Sequence, residues 1–180
     1  MSVGFGIVGS GLMAGVYANA LADDTRNTRF VGVAVGSRAP ALAAKYGVEH
    51  IASFEDLLAR PDIDAVVLAT PHSAHLPETL AAAAAGKHVF LEKPMALNKA
   101  ECRRMIDACR SAGVVLTVGQ VTRRMEAPRI AKQMIDAGEL GEIYHFRGRY
   151  HQEWIMDPQF PKVWRLDKAV DATEAVNDVV

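Results

Sequence analysis

Cysteine is scarce in this 180-residue chain, which holds only Cys102 and Cys109. Seven residues apart in a helical pattern, they share a face about 10 Å apart, too far for a disulfide. No disulfide scaffold is expected, and two free thiols suit a reducing, cytoplasmic compartment. Aromatics are few at 7%, while half the residues are hydrophobic and alanine is abundant. That balance excludes an aromatic-rich β-sandwich and favours helices packed closely on a sheet. Basic stripes and long like-charge blocks are missing, and the net charge is −1. Nucleic acid is therefore not an expected partner.

An export signal and a membrane span are also not expected. Residues 3–22 carry no charge, and Ala18-Asn19-Ala20 and Ala20-Leu21-Ala22 mimic a cleavage site. However, no positively charged segment precedes them, and five glycines interrupt the stretch. A buried strand, a phosphate loop and a helix explain the same residues better.

What the chain does contain is a regular alternation of apolar runs and helical patterns. Strands are expected at 3–8, 30–35, 49–52, 65–69, 89–91 and 114–118, mostly apolar on both faces. Helices are expected at 11–22, 40–46 and 53–59, then from about Pro77 to Gly86 and from Asn98 to Ala112. Ser53 and the Asn98-Lys99-Ala100-Glu101 box serve as N-caps, and Gly86 and Gly113 as stops. The fold class is α/β: a Rossmann-type doubly wound parallel sheet over residues 1–120. Past Gly119 the rhythm changes. A helix is expected at 128–137, then a strand at 142–150 whose alternating character suits a half-exposed antiparallel ladder. Residues 121–180 thus read as the start of an α+β second domain for substrate and oligomer contacts, too short to build its own core.

The first chemical signal is Gly9-Ser10-Gly11-Leu12-Met13-Ala14, directly after a strand and opening a helix. Gly9 permits the tight turn, and Gly11 lets the backbone approach a pyrophosphate on the helix N-terminus. Ala14 replaces the third glycine. A nicotinamide dinucleotide is the expected cofactor, with Leu12 and Met13 completing its loop. The end of the second strand carries Val35-Gly36-Ser37-Arg38 and no acid. Ser37 and Arg38 suit a 2′-phosphate, so NADP is favoured over NAD. Arg38 also has the plainer reading of a surface arginine opening the next helix.

Two further segments end strands, where open α/β sheets bind ligands: Thr70-Pro71-His72-Ser73-Ala74-His75 and Glu92-Lys93-Pro94. Residues 6–11, Thr70-Pro71-His72 with His75, and residues 86–94 together resemble the Gfo/Idh/MocA family of NAD(P)-dependent oxidoreductases. Residues 138–143 resemble that family's crossing into its C-terminal domain. The resemblance implies hydride transfer between nicotinamide and a small hydroxyl-bearing substrate such as a sugar, polyol or diol. It implies that Lys93 lies near nicotinamide and substrate as the catalytic residue, assisting proton transfer or orientation. It further implies a cis bond before Pro94, and a cofactor surface of Thr70, Pro71, His72, His75, Glu92, Pro94 and Gln120. Gln120 and Arg124 would face the substrate, and full-length relatives would be homo-oligomers. No metal site is expected, because His72 and His75 lack carboxylate partners at ligand spacing.

The tail departs from this pattern. Residues 164–169 resemble the stretch before a family helix that carries an Asp and a His in a glycine-rich context. Residues 170–180 contain neither the glycine run nor the histidine. A truncated and impaired enzyme is expected, with a non-catalytic dinucleotide-binding module or decayed fragment as the alternative.

Overall fold

The computed structural model describes residues 2–149. Six parallel strands form one sheet: β1 (Val3–Val8), β2 (Thr28–Ala34), β3 (Glu49–His50), β4 (Ala65–Leu68), β5 (His88–Leu91) and β6 (Leu116–Val118). Their order is β3-β2-β1-β4-β5-β6. Progression therefore reverses between β1 and β4, creating the crevice where such sheets take ligands. This is the doubly wound α/β architecture expected from the sequence.

Helices α1 (Leu12–Asn19), α2 (Ala39–Tyr46), α3 (Phe54–Ala59), α4 (His75–Ala84) and α5 (Lys99–Ser111) connect the strands, and α6 (Glu126–Asp136) follows the sheet. The period-2 alternation of each strand divides the core between two faces. Ile7, Val33 and Val67 pack with Ala14 and Ala18 of α1 and Ala39 and Ala43 of α2. Val8, Ala34, Val66, Leu68 and Leu91 point the other way, with Leu57 of α3, Ala82 of α4 and Met105 of α5. Alanine at the contacts of α1, α2 and α4 brings those helices close to the sheet, and all of these side chains are buried.

The caps follow their side chains. Ser53 Oγ accepts from the Asp56 N–H at 3.0 Å. Asn98 Oδ1 accepts from the Glu101 N–H at 3.0 Å, while Glu101 Oε2 accepts from the Leu97 N–H at 3.2 Å. Both cysteines are free thiols, with Cys109 buried. Among the described residues no helix is long and apolar enough to cross a membrane.

Three local expectations differ from the structure. Helix α1 passes into a π-turn at Ala20–Asp24 instead of running on as α-helix. Strand β2 stops at Ala34, because Val35 turns left-handed at φ 68°. Residues 142–149 form no strand, and residue 150 lies outside the described residues. A strand exists only by pairing, and no described segment pairs with 142–149. The alternating pattern there records a face without its partner.

Candidate cofactor site

The glycine loop leaves β1 at the point where the sheet reverses. Gly9 has φ 107°, and a Cβ there would lie 2.5 Å from the Ala69 carbonyl oxygen. Only glycine fits between the ends of β1 and β4. Gly11 is the N-cap of α1, with no side chain capping the helix and no acid in its first turn. A Cβ at Gly11 would meet nothing within 4 Å. The first-turn N–H groups have no side-chain cap, which fits a pyrophosphate drawn by hydrogen bonds and the helix dipole. Leu12 is 77% exposed beside them, and Met13 is half-buried.

Ser10 links this loop to the end of β2. Its Oγ accepts from the Arg38 N–H at 3.2 Å. A Cβ at Gly36, where φ is 96°, would lie 2.3 Å from that oxygen. Gly36 thus makes room for Ser10, and the turn leaves Ser37 and Arg38 exposed beside the loop. Val35 is a β-branched residue at positive φ, a strained conformation of the kind found at ligand sites. The sequence signalled Ser37 and Arg38 but not Val35, since valine carries no turn signal.

The two remaining segments meet under the ends of β4 and β5. Thr70 Oγ1 donates to Glu78 Oε2 at 2.5 Å. Burial pushes the Glu78 carboxyl up to about 7, opposed by that hydrogen bond. His75 is fully buried, with Nδ1 2.9 Å from the Pro94 carbonyl oxygen and Nε2 3.1 Å from that of Thr70. A neutral imidazole has one N–H, so it donates to one of these carbonyls at a time. Burial holds His75 below the ordinary histidine range, against the pull of both carbonyls. Its ring lies 5.6 Å from that of buried His72.

Glu92 is buried as well, with Oε2 accepting from the Lys93 N–H at 2.9 Å and Oε1 accepting from the Tyr17 hydroxyl. The Lys93–Pro94 peptide is cis, and Lys93 is half-buried. His72, His75 and Glu92 thus lie beneath the loops, whereas Pro71, Lys93 and Pro94 remain partly exposed. Tyr17 and Glu78 were missed in the sequence. Their partners lie 75 and 8 residues away, at distances no local pattern reveals.

Gln120 and Arg124 come together just past the end of β6. They line a hollow of about 450 Å³ with Leu116, Thr117, Val118 and Arg123, along β6 and the 3₁₀ turn Val121–Arg124. Neither Lys93 nor the glycine loop lines it. Among the described residues no group of three or more His, Cys, Asp or Glu is placed to hold a metal.

The profile described as "Oxidoreductase family, NAD-binding Rossmann fold" matches residues 3–120, and that of the GFO/IDH/MocA C-terminal domain matches residues 129–180. The chain belongs to the Gfo/Idh/MocA oxidoreductase family. It is 38% identical over 138 residues to levoglucosan dehydrogenase of Pseudarthrobacter phenanthrenivorans, covering 76% of this chain and 35% of that protein. An NAD binding oxidoreductase from Klebsiella pneumoniae superimposes with TM-score 0.86 at 32% identity, covering 99% of this chain and 50% of that one. Scyllo-inositol dehydrogenase from Lactobacillus casei, solved with NAD(H) and scyllo-inositol, gives TM-score 0.73 at 28% identity, covering 79% and 43%. The chain thus spans half or less of the length of these relatives. They include dehydrogenases of sugars and polyols.

Proposed function

We propose that this chain is the cofactor-binding half of an NAD(P)-dependent oxidoreductase acting on a small hydroxylated substrate, a sugar, polyol or diol. The observation that carries it is the uncapped N-terminus of α1, open at Gly11 and set where the strand order reverses. The cofactor, when bound, supplies hydride transfer at the nicotinamide ring. Gly9, Gly11, Leu12 and Met13 would hold its pyrophosphate. Thr70, Pro71, His72, His75, Glu92, Pro94 and Gln120 would form or support the surface beneath ribose and nicotinamide. Lys93 is the proposed catalytic residue, taking or orienting the proton of the substrate hydroxyl.

NADP is the proposed preference. Ser37 and Arg38 are exposed beside the glycine loop, and residues 35–38 contain no carboxylate to repel a 2′-phosphate. Residues 1–120 are the proposed cofactor domain, and residues 121–180 belong to the substrate and oligomer domain. Two free thiols fit a cytoplasmic protein. The test is reduction of NADP and NAD by the full chain with a panel of polyols, sugars and diols. Turnover with any of them, lost in Lys93→Ala, supports the assignment. Turnover unchanged in Lys93→Ala removes Lys93 from the mechanism.

A further inference from the structure

Helix α1 does more than present its N-terminus to an anion. Tyr17, in its second turn, reaches the Glu92-Lys93-Pro94 turn at the end of β5. Its ring packs edge-on against Phe90 of β5, with centroids 5.2 Å apart and planes at 68°. Its hydroxyl donates to Glu92 Oε1. The other oxygen of that buried carboxylate accepts from the Lys93 N–H at 2.9 Å. Gly119, just after β6, leaves space for the pair. A Cβ at Gly119 would lie 3.0 Å from the Tyr17 hydroxyl and 3.5 Å from Glu92 Oε1. The Pro94 carbonyl oxygen lies 2.9 Å from His75 Nδ1.

The chemistry of the pair is directional. Burial, the bond to Glu92 and the negative charge of Glu92 all raise the Tyr17 phenol above the ordinary tyrosine range. Tyr17 therefore keeps its proton and remains a donor. A buried carboxylate oxygen deprived of its donor is strongly penalised. Without the hydroxyl, Glu92 is driven to turn towards another donor or admit water, and the Lys93 N–H loses a fixed acceptor.

We propose that Tyr17 is a positioning residue for Lys93. Acting through Glu92, it ties the backbone of Lys93 to α1, the helix whose N-terminus receives the cofactor. The Tyr17–Glu92 pair then couples the position of the Lys93 backbone to that of α1. This rests on the assignment of Lys93 beside the nicotinamide.

The test needs no turnover. The full chain is reductively methylated with formaldehyde and cyanoborohydride, with and without NADPH at matched saturation. Mass spectrometry then gives the labelling rate of Lys93 relative to exposed Lys99. In the wild type, NADPH slows labelling of Lys93 and leaves Lys99 unchanged. In Tyr17→Phe, which keeps the ring on Phe90, most of that protection disappears although NADPH still saturates. Glu92→Gln, whose carboxamide cannot accept from both donors as a carboxylate does, gives the same loss. The double variant is no worse than either single one, as members of one chain behave. Should Tyr17→Phe not fold, Glu92→Gln carries the test. Full protection of Lys93 in either folded variant, with only a lower melting temperature, overturns the proposal and leaves the assignment of Lys93 intact. Absence of protection in the wild type overturns that assignment, and the proposal with it.

Discussion

The sheet region and the segment after it were built from the same kinds of local signal, yet only one of them has an interior. Every buried apolar side chain among the described residues lies between Ile7 and Cys109. From Val121 to Arg149 none is buried, although α6 is strongly amphipathic and places Ile130 and Ile135 on one side. Amphipathic periodicity is enough to specify a helix, but burial requires a partner surface. The sheet region contains its partners within itself. Among the described residues nothing covers the faces of the later segment.

The greatest effect is expected at Gly9. Gly9→Ala places a Cβ 2.5 Å from the Ala69 carbonyl oxygen at φ 107°. It should cost about 4 kcal/mol or more and abolish cofactor binding. Gly11→Ala meets no neighbour, so its melting temperature should stay near that of the wild type while cofactor affinity falls. Thermal melts paired with titrations distinguish the two, and equal melting behaviour would contradict the close approach at Gly9.

Next comes the core. Leu68→Ala, at a fully buried position, should lose about 2 to 5 kcal/mol in urea unfolding. Ile130→Ala, 47% exposed, should lose less than about 0.5 kcal/mol. A large loss at Ile130 would show that α6 is buried in solution and would remove the contrast between the regions.

A smaller effect concerns pH. The Glu78 carboxyl is raised from 4.5 to about 7 by burial. The folded state therefore binds its proton more tightly than the unfolded state does. Stability from this group is fully present below about 4.5, declines as pH rises to about 7, and is level above. The decline should be about 3 kcal/mol and should vanish in Glu78→Gln. A stability profile identical in both proteins would refute the burial of Glu78.

Smaller still is the cofactor contrast. Arg38→Ala should weaken NADPH about tenfold and leave NADH almost unchanged, as expected for one lost charge-assisted contact. Equal weakening of both would place Arg38 away from the 2′-phosphate.

The sheet was legible because each element carried its own signals. Strands apolar on both faces implied a covered parallel sheet, and Ser53 and Asn98 marked helix starts that the hydrogen bonds reproduce. The glycine loop was legible because strand, turn and helix are contiguous. Tyr17–Glu92 and Thr70–Glu78 were not, because each pair forms only when the fold brings α1 to β5 or closes the first turn of α4. The strand expected at 142–150 failed for a related reason. Its alternation describes one side of an interface, and pairing is a property of two segments.

The most direct test is a fluorescence titration of the full chain with NADPH and NADH. Saturable binding, tighter for NADPH and weakened in Gly11→Ala, is the expected result. Failure of the folded wild-type chain to bind either dinucleotide would contradict the assignment of the α1 N-terminus as a cofactor site.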